Sequence, residues 1–228
     1  MLKTVVIVGA SKGIGAELME SFASIDGFRV FGFARNMQLQ REKWSLNPLV
    51  HCLDIDLTSE NLQLQILDVL KNEKVDFLIN NAGLLVNKPF MELTPSDILE
   101  SYKVNVLSVF TTIQAILPLM NNQGHIVNIS SMGGFQGTMK FAGLAAYSSS
   151  KAALVNLTEM LAEEYKHTQL KFNCLCLGAV QTEMLQATFP GYEAPVQPAE
   201  MAEYISDFTR NAWRWMNGKV IPVSLSTP

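Results

Sequence analysis

Short apolar runs alternate along the chain with longer, mixed segments. The runs are rich in β-branched residues, and each gap between them leaves room for a helix. They are Thr4–Val8, Arg29–Phe33, Leu49–Leu53, Val75–Ile79, His125–Ile129 and Leu170–Leu177. Near-continuous apolar strands that alternate with helices are typical of a parallel sheet covered on both faces. The pattern predicts a doubly wound α/β fold, with residues 1–228 as a single domain.

Helix and loop signals agree with this pattern. Thr94–Asp97 supplies an N-cap, a proline at the first helical position and an acid at the third, and Gly27 stands where a glycine would end the first helix. Lys219–Val223 is a candidate seventh strand, although Pro222 suits only an edge position. Glu183–Pro198, with three prolines and a glycine, predicts a short, mobile substrate loop with room for one short helix.

Composition narrows the classes of protein. Hydrophobic residues make up 48% and charged residues 17%, which excludes a disordered chain. With a net charge of −4, the protein has no overall electrostatic attraction to nucleic acid or to an anionic membrane, so we expect neither as a partner. The stretch Val104–Met139 lacks Asp, Glu, Lys and Arg, but polar residues interrupt it before about 20 apolar residues accumulate. We interpret it as a buried segment and expect a cytosolic protein.

Three cysteines and three histidines show no ligand spacing, so we expect neither a metal site nor a disulfide framework. Cys174 and Cys176 stand two apart in an apolar run, and on a strand they would face the same side. We interpret this pair as small buried apolar residues.

A glycine-rich turn follows the first predicted strand. Gly9-Ala10-Ser11-Lys12-Gly13-Ile14-Gly15 leads into a helix, whose N-terminus would offer free N–H groups to a pyrophosphate. The spacing is GxxxGxG and not GxGxxG, so a plain tight turn between strand and helix stays open as an alternative.

The next strand ends supply further binding groups. Arg35 lies about 20 residues beyond the glycines, where an acid would bind the ribose of NAD and an arginine suits the 2′-phosphate of NADP. With Lys12 as a second cation, this predicts NADP(H) over NAD(H), against the alternative of an ordinary surface arginine. Asp56 would accept from an adenine amine or cap the following helix. Asn80–Gly83 would let a ribose lie against the backbone.

Tyr147 and Lys151 stand four apart, on one face of a predicted helix. With this pair the chain resembles the short-chain dehydrogenase/reductase family over nearly its whole length. The matching segments, in chain order, are GASKGIG at 9–15, Asp56-Leu57, NNAG at 80–83, Asn105, NISS at 128–131, YSSSK at 147–151 and GAVQT at 178–182.

The resemblance implies a Rossmann-type oxidoreductase acting on CH–OH and C=O groups, with Asn105, Ser131, Tyr147 and Lys151 as catalytic residues. Tyr147 would protonate the substrate oxygen, with its pKa lowered from about 10 by Lys151 and the nicotinamide. Ser131 would bind that oxygen, with Ser130 as a competitor, and Asn105 would hold a water that links Lys151 to solvent. The implied cofactor-binding residues are Gly9, Ser11, Lys12, Gly13, Ile14, Gly15, Arg35, Asp56, Leu57, Asn81, Ala82, Gly83, Tyr147, Lys151, Val180 and Thr182.

Three departures from the family pattern stand out: Val8 replaces threonine, Leu177 replaces proline, and the segment from Ser131 to Tyr147 is longer than usual. The leading hypothesis is an NADPH-dependent carbonyl reductase, reversible as an alcohol dehydrogenase. The alternatives are an NADP(H)-binding sensor or scaffold and an NAD-preferring dehydrogenase. Residues 183–200 contain no Lys or Arg, which favours a neutral, partly apolar ketone or aldehyde. The uncharged helix around Val104–Leu119 favours a homodimer or homotetramer.

Overall fold

In the computed structural model, which describes residues 2–71, 73–138 and 140–225, seven strands form one sheet. They are β1 (Lys3–Val8), β2 (Phe28–Ala34), β3 (Val50–Asp54), β4 (Val75–Asn80), β5 (Met120–Ser131), β6 (Lys171–Leu177) and β7 (Lys219–Val223). Their order is β3-β2-β1-β4-β5-β6-β7, and every neighbouring pair is parallel. The doubly wound α/β fold is confirmed, and the strand order reverses between β1 and β4.

Helices cover both faces of this sheet. They are α1 (Gly13–Ala23), α2 (Gln38–Lys43), α3 (Leu62–Leu70), α4 (Pro95–Tyr102), α5 (Ser108–Ile116), α6 (Ala145–Glu164), α7 (Glu183–Thr188) and α8 (Pro198–Asn211). Val5 and Ile7 pack with α1 and α8, whereas Val6 and Val8 pack with α3, α5 and α6. Because both faces of each inner strand are buried, the strands are nearly continuous in apolar residues.

Several predicted bounds need correction. β5 runs from Met120 to Ser131, well beyond the predicted His125–Ile129, while β3 and β6 each begin one residue later than predicted. Gly27 does not end the first helix: α1 ends at Ala23 with Ser24 as its C-cap, and Gly27, at φ 90°, belongs to the turn before β2. The predicted seventh strand is confirmed, and Pro222 lies in this edge strand opposite Cys176.

The N-cap at Thr94 is confirmed. Its hydroxyl accepts from Asp97 N–H at 3.2 Å, and the Asp97 carboxylate accepts from Thr94 N–H at 2.9 Å. From Pro95 to Leu119 the chain forms one helical segment of 25 residues, through α4, a π-turn at Lys103–Leu107 and α5. Its best 18-residue window has a mean hydropathy of 1.2 and is 44% buried, so by length and composition alone it could cross a membrane.

Candidate active site

The glycine-rich turn and the segment after β4 meet where the strand order reverses. Asn81 N–H donates to the Val8 carbonyl at 3.0 Å, and its side-chain amide donates to the Gly9 carbonyl at 3.0 Å. Gly9 N–H donates to Phe33 at the end of β2. Ligands of doubly wound sheets bind in this crevice, beyond the carboxyl ends of the strands.

The glycines leave no room for side chains. Gly9 has φ 85°, and a β-carbon there would lie 2.6 Å from Cα of Ala82. A β-carbon at Gly15 would overlap the Gly9 carbonyl oxygen. Gly13, at φ 53°, begins α1, whose N-cap Lys12 makes no side-chain capping bond. The glycines therefore let β1, α1 and the loop after β4 approach one another closely, and a pyrophosphate-binding role of the turn stays a prediction.

A glutamine outside the predicted site residues supports this turn. Gln40 on α2 is 9% exposed, and its amide donates to the Ser11 carbonyl at 3.3 Å. Lys12 is exposed beside Ser11, and Ile14 packs partly against the core under α1. No sequence signal marks Gln40, because it lies in a short helix without an apolar pattern.

Arg35 is exposed at the end of β2 and borders a cavity of about 510 Å³. The cavity is also lined by Asp54, Ile55, Asp56, Ser59, Gln65, Asp68 and Val69. Asp56 accepts from the Thr58 N–H at 2.9 Å and the Thr58 hydroxyl at 2.8 Å; these bonds, with a smaller contribution from Arg35, lower its pKa. Asp56 does not cap the next helix, because the N-cap of α3 is Asn61. The neighbouring Leu57 packs against the core.

Ser131, Tyr147 and Lys151 converge beyond the end of β5. The Ser131 hydroxyl is hydrogen-bonded to the Tyr147 phenol. Lys151 is 3% exposed, and its ammonium lies 6.0 Å from the Tyr147 ring centroid and donates to the Ile129 carbonyl at 2.9 Å. Ser130 instead donates to the Lys151 carbonyl at 2.8 Å. Of the two serines, Ser131 is therefore the one that meets Tyr147.

Burial sets the protonation of this group. It raises the pKa of Tyr147, and the bond from Ser131 offsets only part of that rise. Burial also lowers the pKa of Lys151 to about 8. Without a nicotinamide in the site, desolvation of the phenolate is the largest effect on Tyr147, and the lowering of its pKa by Lys151 and the cofactor together stays a prediction. The Tyr147 phenol therefore keeps its proton at neutral pH.

Asn105 lies in the π-turn and is fully buried. Its amide donates to the Leu84 carbonyl and to the Ser150 hydroxyl, both at 2.9 Å, and its oxygen accepts from Leu84 N–H at 2.7 Å. A β-carbon at Gly83 would lie 3.3 Å from the Lys151 ammonium and 3.6 Å from the Asn105 oxygen. Asn105 thus joins the loop after β4 to α6 beside Lys151, and its water-holding role stays a prediction.

The segment after β6 closes over the glycine-rich turn. Val180 is buried and pairs with Val196, and Thr182 caps α7 by accepting from Leu185 N–H at 3.3 Å. A β-carbon at Gly13 would lie 3.3 Å from both the Thr182 methyl group and a carboxylate oxygen of Glu183. Glu183 is not among the predicted site residues, although its place directly after Thr182 is a usable signal.

The two cysteines of β6 are free and fully buried, next to Met132. Their interpretation as small apolar residues of the interior is confirmed. They pack behind the site on the face that carries α6, so they contribute to its support and do not reach its surface.

Comparisons with known proteins agree with this geometry. A family model described as short chain dehydrogenase matches residues 3–193. An uncharacterized oxidoreductase of Staphylococcus saprophyticus is 30% identical over 210 residues, covering 88% of each chain. The 7alpha-hydroxysteroid dehydrogenase of Escherichia coli K12 is 30% identical over 241 residues, covering 97% of this chain and 92% of that one. A short chain dehydrogenase of Escherichia coli CFT073 complexed with NADPH aligns with a TM-score of 0.86 at 28% identity, covering 96% of this chain and 95% of that one.

Proposed function

The chain belongs to the short-chain dehydrogenase/reductase family, and from this premise we propose that it is an NADPH-dependent reductase of ketones or aldehydes. The reaction transfers a hydride to the carbonyl carbon and is reversible as an alcohol oxidation. The observation that carries the proposal is the convergence of the Ser131 hydroxyl, the Tyr147 phenol and the buried Lys151 ammonium.

The residues present fit a nicotinamide dinucleotide. The cradle of Gly9, Gly13 and Gly15 excludes side chains where a pyrophosphate would approach the start of α1. Arg35 and Asp56 border a cavity large enough for an adenosine end, and the Lys151 ammonium beside Gly83 would hold ribose hydroxyls. When bound, the nicotinamide supplies the hydride.

The side chains supply the proton and stabilise the developing charge. Tyr147 is the general acid, because its phenol is protonated at neutral pH and would donate that proton to the substrate oxygen during reduction. Ser131 donates a hydrogen bond to the same oxygen as negative charge grows there. Lys151, with a pKa of about 8, is mostly charged at neutral pH and stabilises the phenolate that remains.

A Tyr147→Phe variant tests the enzymatic assignment. We expect turnover to fall by about 10²–10⁴ with NADPH binding retained, because only the proton donor is lost. Tyr165→Phe, at the far end of α6, is the matched control and should keep full activity. Unchanged turnover in Tyr147→Phe would refute the assignment. NADPH binding with no turnover of any carbonyl in the wild type would favour a sensor or scaffold.

Cofactor preference is tested with NADPH and NADH side by side. A charged hydrogen bond from Arg35 to a 2′-phosphate is worth about a 10- to 150-fold preference. Arg35→Ala should remove that preference, measured by thermal shift and by kcat/KM, whereas the remote Arg214→Ala should keep it. An unchanged ratio in Arg35→Ala would favour the NAD-preferring alternative.

We also propose a homodimer or homotetramer built on the Pro95–Leu119 segment. Leu99, Leu107 and Phe110 are 68%, 58% and 42% exposed, and their spacing places them along one side of the segment. Burying such a stripe against a second copy would stabilise both chains. Sedimentation at micromolar concentration showing only a species near 25.3 kDa would overturn this proposal. The cytosolic location stays a prediction.

A further inference from the structure

Two loops that lie next to the proposed catalytic residues are clamped to each other. Leu84, in the loop after β4, is hydrogen-bonded to Asn105, and the loop before α6 ends at Leu144, three residues before Tyr147. Lys88 N–H donates to the Gly143 carbonyl at 2.9 Å. Gly143 has φ 85°, and a β-carbon there would collide with the Asn87 amide oxygen. Only glycine fits this close approach of the two loops.

The clamp places exposed apolar side chains on both sides of it. Phe90 and Met91, two and three residues beyond Lys88, are 75% and 91% exposed. Phe141, two residues before Gly143, is 53% exposed, and the turn from Phe141 to Leu144 leads directly into α6. We name Phe90, Met91 and Phe141 the apolar rim. Large side chains this exposed in two adjoining loops indicate a surface that binds something apolar.

The charges around the rim disfavour an anionic ligand. Lys88 is paired with Asp97 at 2.7 Å. Lys140 donates to the Phe135 carbonyl at 2.6 Å and to the Thr138 hydroxyl at 2.9 Å, within its own loop. The predicted substrate loop, residues 183–198, contains acids and no Lys or Arg. A phosphorylated carrier would therefore meet carboxylates and at most the Lys140 ammonium.

We infer that the apolar rim binds the uncharged hydrocarbon tail of the carbonyl substrate, which makes the enzyme selective for ketones or aldehydes with long apolar chains over short or anionic ones. This inference rests on the proposed reductase function. The reacting carbonyl lies at Ser131 and Tyr147, while the tail leaves along the clamped loops. Each methylene that the rim removes from water adds binding free energy, and small ketones lack these methylenes.

A homologous series of 2-alkanones from butanone to decanone, assayed with NADPH, tests the inference. We expect kcat/KM to rise about two- to fourfold per methylene, the upper value being full removal of that group from water. Phe141→Ser and Phe90→Ser should flatten this rise, so that kcat/KM for decanone falls by a larger factor than kcat/KM for butanone. Trp215→Ser is the matched control, because Trp215 is 82% exposed and lies at the end of the sheet away from the site. It adjoins Met216, whose carbonyl accepts from the Asn173 amide near the amino end of β6, whereas the site lies beyond the carboxyl ends of the strands.

The outcomes separate the inference from the function it rests on. No turnover of any ketone or aldehyde with either cofactor would refute the reductase function itself. Turnover without a dependence on chain length would overturn the inference alone. So would a preference for acetoacetyl-CoA that Lys140→Gln abolishes, since the ligand would then be anionic. Rim variants that change the sedimentation coefficient and not the chain-length dependence would identify the rim as a contact between copies of the chain.

Discussion

Val8→Thr is expected to stabilise the protein. Val8 on β1 is opposite Asn80 on β4, and alternation along the strands places both side chains on the face covered by α3, α5 and α6. The Asn80 amide donates to Asn128 at 2.8 Å, but among the described residues its buried oxygen has no hydrogen-bond partner. A threonine is nearly the shape of valine and would bring a hydroxyl donor to that oxygen.

The gain can be estimated from the cost of the unsatisfied oxygen. Leaving a buried acceptor unpaired costs about 1–3 kcal/mol, and burying the new hydroxyl consumes part of what is recovered. We expect a net gain of about 1 kcal/mol in the free energy of unfolding. For a chain of this length that raises Tm by about 2–4 °C. Urea denaturation and thermal unfolding, both at pH 7.5 in the same buffer, measure the two quantities.

Val6→Thr is the control, on the same strand and face. Val6 is fully buried opposite Leu78, so its hydroxyl would find no partner and should cost about 1–3 kcal/mol. In an Asn80→Ala background, Val8→Thr should lose its benefit. If Val8→Thr destabilises as much as Val6→Thr, or if its effect is the same without the Asn80 side chain, the reasoning is refuted.

Three further predictions follow from buried or crowded groups. Burial lowers the pKa of His125 to about 4, so the unfolded chain binds more protons than the folded protein between pH 4 and pH 6.5. We therefore expect the free energy of unfolding to fall by about 3 kcal/mol as the pH falls across this range. Denaturant titrations measure this loss, and the same pH dependence in a His125→Gln variant would contradict the prediction. Glu183→Gln should tighten NADPH binding about three- to tenfold at low salt, because it removes a negative charge beside the proposed pyrophosphate site, and less at high salt, where charges are screened. Equal tightening in the control Glu193→Gln would show that the effect is nonspecific. Gly15→Ala should abolish the thermal shift with NADPH, since its β-carbon overlaps the Gly9 carbonyl oxygen, and a retained shift would argue against the cradle.

Local sequence determined the sheet and the positions of the motifs. The inner strands are apolar on both faces, which only a sheet covered on two sides can bury, and this made the fold and its strands predictable. The glycines at 9, 13 and 15 and the i, i+4 pair of Tyr147 and Lys151 could also be located, because short-range spacing fixes a turn or a helix face.

The tertiary structure decided what depends on contacts between distant segments. Local spacing does not separate Ser131 from Ser130 as the partner of Tyr147, and the packing of α6 on β5 directs Ser131 to Tyr147 and Ser130 to the Lys151 backbone. Likewise, the raised pKa of Tyr147 follows from burial, which no local pattern reports. The clamp between Lys88 and Gly143 joins residues 55 apart along the chain. Such contacts arise from the whole packed chain, so spacing along the sequence does not reveal them.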